Sequence, residues 1–129
     1  MAFRVVRPDE LEWITRPHAP GEPARHVAEL SGLAGFAHTR ANVWRYEPGA
    51  RGLRHRHPFQ EETFVVLSGT LSIYVGEPPE RHDVPAGALI HIDPGTPLQS
   101  VNHADEELLV YAYGTPPEHE RAEILEPAV

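Results

Sequence analysis

The chain has 129 residues, 40% of them hydrophobic and 23% charged, which fits one soluble domain with a core of its own. Its 19 acidic residues against 11 basic ones give a formal charge of -8, the wrong sign for tracking a phosphate backbone or an anionic membrane. Cysteine is absent, which removes disulfides, thiolate nucleophiles and Cys-rich zinc sites, and leaves His and carboxylates as the only strong metal ligands.

In chain order, Met1 to Asp9 lacks the apolar stretch of a leader peptide, so the expected location is cytoplasmic. Asp9-Glu10-Leu11-Glu12-Trp13 reads as one helical turn capped by Asp9. Residues 1–35, broken by Pro17, Pro20, Gly21, Pro23, Gly32 and Gly35, read as an N-terminal extension packing on the domain that follows. Residues 36–114 then show six short runs rich in β-branched and aromatic residues: Ala41 to Tyr46, Thr63 to Leu67, Leu71 to Val75, Ala88 to Ile92, Pro97 to Val101 and Leu108 to Tyr113. Turn signals such as Glu47-Pro48-Gly49, Ser68-Gly69 and Asp93-Pro94-Gly95 separate them at short intervals. That rhythm predicts an all-β sandwich or barrel rather than alternating strands and helices. Residues 115–129 form a tail, in which Pro116 to Leu125 reads as a short helix entered through proline or as extended chain.

The chemistry concentrates in Gly49 to Phe64. His55 and His57 are two residues apart, so on a strand their rings share a face, and Glu62, returning after a turn at Pro58, can meet them. Two imidazoles and a carboxylate with positions left open suit a divalent ion such as Fe, Mn, Ni or Zn. Arg51, Arg54 and Arg56 are interleaved with the histidines, so the competing reading is a solvated basic loop. Trp44, Tyr46 and Phe64, and further on Leu98 and Ser100, are expected to line a pocket beside the ligands; plain core packing is the competing reading for each. Glu61 should face the other side of its strand by alternation.

Gly49, His55-x-His57, Glu62 and Gly69 stand at the spacing G-x5-H-x-H-x4-E-x6-G, and the chain in this respect resembles the cupin family. Gly87 to Asn102 is similar to the second cupin motif, with Asp93 standing one residue out of step where a proline is usual. The resemblance spans about residues 36–114 and implies a cupin-type double-stranded β-helix, a jelly-roll barrel. It also implies His55, His57 and Glu62 as metal ligands, a small-molecule ligand or substrate, and a homodimer paired through strand edges; the charge and hydropathy of the chain predict no nucleic acid and no membrane as partner. Where the family's second motif carries a fourth ligand, a histidine, this chain has Leu98. His91, seven residues earlier, is expected on the opposite face of its strand, and His103 in an exposed loop, so neither replaces it; His18, His26, His38, His82 and His119 are expected at the surface.

The resemblance covers dioxygenases, isomerases, decarboxylases and lyases alike, and so names no reaction. Three classes of function follow: a metal-dependent enzyme; a metal-free or non-catalytic small-molecule binder such as a sensor, which Leu98 favours by making the pocket more apolar; and a purely structural or assembly role, tied to pairing through strand edges. Without a metal, Glu62 is the residue placed to act as a base.

Overall fold

The computed structural model describes residues 2–117 and 122–129. Among these, eleven strands form two antiparallel sheets that face each other, a jelly-roll barrel. Strands β1 (Ile14–Thr15), β2 (Arg25–Glu29), β3 (Arg40–Tyr46), β5 (Glu61–Ser68), β8 (Leu89–Ile92) and β10 (Leu108–Thr115) make the larger sheet, in the order β1-β2-β3-β10-β5-β8. Strands β4 (His55–Arg56), β6 (Thr70–Val75), β7 (Glu80–Pro85), β9 (Leu98–Val101) and β11 (Glu123–Ile124) make the smaller, in the order β11-β4-β9-β6-β7. No helix among the described residues is long and apolar enough to cross a membrane.

Alternation along the strands sorts residues between the two faces of the large sheet. On β5, Glu62, Phe64 and Val66 point inward, and on β10 Leu108, Val110, Ala112 and Gly114 do. With Leu71, Ile73 and Leu98 of the small sheet they form the central core, and burying a side chain the size of Leu71 or Ile73 stabilises the fold by about 2–3 kcal/mol. The outer face of the same sheet has its own cluster, Ala28, Leu30, Ala41 and Val43, covered by Val6, Leu11 and Trp13 from the N-terminal segment. The first 35 residues also supply β2, which joins the large sheet through a five-residue ladder with β3.

Several elements differ from the sequence reading. The N-terminal turn is a 3-10 helix over Pro8–Glu10 rather than a turn capped by Asp9, because Pro8 is pre-set for a first helical position and Glu10 accepts a hydrogen bond from the Arg7 amide at 2.9 Å. A four-residue helix, α1 (Ser31–Ala34), ends on Gly35. Strand β7 was not expected at all; it is an edge strand with only Val84 buried, so its sequence shows no alternating pattern. In the tail, residues 118–121 and with them His119 lie outside the described residues, while Glu123 and Ile124 are extended and pair with β4.

Two glycines of the first motif have backbone reasons to be glycine. Gly49 has φ +85° and its amide donates to the Asn102 carbonyl at 2.8 Å. Gly69, φ +77°, turns the chain between β5 and β6, where a Cβ would lie 2.6 Å from the Glu107 carbonyl oxygen. Asn102 is fully buried and ties three loops together: its amide nitrogen is shared among the carbonyls of Tyr46, Glu47 and Glu106 at 3.1, 3.3 and 2.8 Å, and its oxygen accepts from the Ala104 amide at 3.1 Å.

Candidate metal centre

His55 and His57 enter from the small sheet and the turn that leaves it, and Glu62 from the large sheet. Gly52 binds back to β9, its amide donating to the Ser100 carbonyl at 2.7 Å, and this directs the chain into β4. The two rings stand edge to face with centroids 5.0 Å apart. One ligand atom from each of His55, His57 and Glu62 falls within a group spanning 4.8 Å. Glu62 Oε1 lies 3.1 Å from His57 Nε2 and 3.6 Å from His55 Nε2. Donors bound at ~2.1 Å to a single ion are spaced about 3 to 4 Å apart, so the set has the dimensions of a metal site and can hold an ion.

Two further observations test that fit. His55 Nδ1 lies 2.9 Å from the Leu53 carbonyl oxygen, which only accepts, so Nδ1 carries the proton of that bond. In a neutral ring Nε2 is then a bare lone pair facing the carboxylate, the orientation in which metal-bound histidines are held. Glu62 Oε1, meanwhile, is buried and receives no hydrogen bond of good geometry although both imidazoles lie beside it. A cation among the three satisfies all of these lone pairs at once.

Burial alone pushes the Glu62 carboxyl up, but the adjacent imidazoles of His55 and His57, when they carry protons, together outweigh it and hold the group at about 2. Glu62 is therefore ionised at neutral pH, as a ligand must be. Behind it, Arg40 Nη2 donates to Gln60 Oε1 at 2.9 Å and stands 4.0 Å from Glu62 Oε2. Gln60 is buried and lies flat against Gly114, the β10 residue paired with Glu62, where any Cβ would collide with the amide. Neither Arg40 nor Gln60 was singled out from the sequence. Only the β3–β10–β5 register brings Arg40 behind Glu62, and nothing local in the chain signals that, whereas Gln60 stands two residues before Glu62.

The site opens into a cavity of about 430 Å³, within the range of small-molecule pockets. Trp44, Tyr46, Phe64 and Ser100 line it, as do Arg25 and Val27 of β2 and Ile124 of β11, so both ends of the chain contribute to its wall. Tyr46 is buried, which pushes its phenol up, while the neighbouring Arg25 and Ser100 side chains pull it back down. Leu98 is placed differently from the expected lining residue. It pairs directly with His55 and so shares its face, yet it is packed into the central core beneath the site instead of standing on the cavity wall. His91 is exposed on the outer face, 2.8 Å from the Thr63 hydroxyl and 3.5 Å from Glu61, which is exposed beside it. His103 is exposed and meets the Tyr74 hydroxyl at 2.9 Å.

A family model described as the cupin domain matches residues 42–113. Among solved structures, the chain is similar to a sugar phosphate isomerase of the cupin superfamily from Silicibacter pomeroyi. The identity is 25% and the TM-score 0.75, over 88% of this chain and 76% of that one. It is also similar to an uncharacterised conserved protein with a double-stranded β-helix domain from Klebsiella pneumoniae (24% identity, TM-score 0.71, 96% and 98% covered). The polyketide cyclase RemF from Streptomyces resistomycificus shares the fold as well, at 16% identity and a TM-score of 0.78 over 96% and 86% of the two chains. No curated protein matches the chain.

Proposed function

The chain belongs to the cupin family, and on that premise we propose that it holds a divalent transition metal on His55, His57 and Glu62 and binds a small molecule in the cavity beside it. The observation that carries this reading is the buried Glu62 Oε1, without a well-aligned hydrogen bond and flanked by two imidazole Nε2 atoms. With three protein ligands, an ion keeps positions for water or substrate, and supplies Lewis-acid or redox chemistry there. The protein's own part is to keep both imidazole lone pairs aimed inward, to hold Glu62 ionised, and to surround a bound molecule with Val27, Trp44 and Phe64 so that little water reaches it.

A second reading, a binder without turnover, is favoured by one observation: Leu98, paired with His55 on the same face, offers no donor atom. Two copies are expected to pair through sheet edges, which light scattering would check.

The deciding measurement is metal content of protein purified without added metal, in parallel with His57→Ala. The reading requires close to stoichiometric metal in the wild type and loss of it in the variant. A wild type that stays metal-free even after incubation with Fe(II), Mn(II), Ni(II) and Zn(II) would sink it.

A further inference from the structure

Arg25 projects from β2 into the same cavity as the metal-ligating set. Its guanidinium carbon lies 5.1 Å from the Trp44 ring centroid and 5.8 Å from that of Tyr46, and these two rings meet edge to face 6.0 Å apart. The half-buried charge is thus held by π faces. Five other arginines, Arg40, Arg45, Arg54, Arg56 and Arg81, each have a carboxylate within 4.0 Å; among the described residues Arg25 has none. A guanidinium withdrawn from water with no counter-anion is costly unless an anion is delivered to it.

The surroundings say which anion. Arg16, whose amide donates to the Arg25 carbonyl at 2.9 Å, adds a second cation at the exposed rim of the cavity. Arg16, Arg25 and Arg40 line the cavity against Glu29 and Glu62, a small positive excess on a chain whose net charge is -8. A single planar fork held against two rings matches a planar carboxylate, which it can bind through two parallel hydrogen bonds. The cavity that holds both the fork and His55, His57 and Glu62 also presents apolar surface from Val27, Trp44 and Phe64. We infer that Arg25 is the anchor for the carboxylate of a small organic acid whose apolar body lies along Trp44 and Phe64 toward the metal-ligating set. The inference deepens the metal-site reading and rests on it for the direction in which the ligand points; the anchor itself needs only Arg25 and its two rings.

The test is calorimetric titration of the purified protein with phenylacetate, cinnamate and glutarate, each beside its neutral amide, and with inorganic phosphate. Wild type should bind at least one acid more tightly than its amide by about tenfold or more, since the amide leaves the charged fork unpaired. Arg25→Met should lose that preference with metal content unchanged. Arg25→Lys, which keeps charge and bulk, should retain only part of it. The proposal is overturned if no acid is preferred over its amide, if Arg25→Met binds the acids as wild type does, or if phosphate binds in their place. Repeating the titration on wild type stripped of metal separates the two readings. Acid binding that depends on Arg25 and persists in a protein that never takes up metal leaves the anchor standing and removes the metal centre.

Discussion

Leu98 and His55 are directly paired across the β4–β9 ladder, so their side chains leave the sheet on the same face, one into the core and one into the group with His57 and Glu62 that can hold an ion. A histidine at position 98 would start from the right strand, register and face to reach the ion. Leu98→His is expected to tighten divalent-metal binding by about tenfold or more, one imidazole ligand being added to an incomplete shell. It should also lower the stability of the metal-free protein by about 1–3 kcal/mol, since a polar ring replaces a buried leucine. Metal titration and urea unfolding of the same preparation read both effects. Unchanged affinity would mean that the side chain at 98 stays in the core.

Gly114 makes room for Gln60, and Gln60 in turn engages the Arg40 guanidinium near Glu62. Gly114→Ala should displace the Gln60 amide and cost about 1–3 kcal/mol, as overpacking of a tight site does. Because the displaced groups support Glu62, a candidate ligand, metal affinity should fall as well, by about tenfold. A variant that loses stability while binding metal as wild type does would show Gln60 to be purely structural.

The Glu62 carboxyl at about 2 lies below its ordinary value, which is roughly 4.3 in an unfolded chain. Ionised Glu62 therefore stabilises the folded state fully above the unfolded value, and this contribution disappears as pH falls from there through about 2. In metal-free protein, wild type should lose stability over that window more steeply than Glu62→Gln. Unfolding free energies measured between pH 6 and pH 2.5 check it, and parallel curves for the two proteins would contradict it.

Asn102 donates to three carbonyls and accepts from one amide inside the fold. Asn102→Ala should cost at least about 2 kcal/mol by stranding those buried groups. Asn102→Asp should be no better, because a carboxylate cannot donate to the Tyr46, Glu47 and Glu106 carbonyls. Thermal unfolding of the two variants measures this, and a loss in Asn102→Ala near zero would leave the network without a stabilising role.

The gathering of His55, His57 and Glu62 was legible because it depends on two local facts, the two-residue strand period and one turn, both carried within eight consecutive positions. Trp44, Tyr46 and Phe64 followed from parity on their own strands. Parity gives a face and not a depth, which is why Leu98 was placed on the correct side of β9 but at the wall instead of in the core. Arg25 and Arg40 were invisible for a different reason: each reaches the site through ladders with residues far along the chain, Arg25 opposite Tyr46 and Arg40 opposite Gly114. Edge strand β7 carried no apolar rhythm to read, since solvent covers most of it.

The candidate ligands are divided between the sheets, the histidines arriving from β4 and the turn after it and the glutamate from β5. An ion placed among them acts as a rivet through both walls of the barrel, at the end where the cavity interrupts the apolar core. Loading it should therefore change how the molecule breathes as well as what it can do. Amides of β4 and its neighbour β9 should exchange hydrogen more slowly in the loaded protein, while those around Leu71 and Ile73, already clamped by the core, should be little affected.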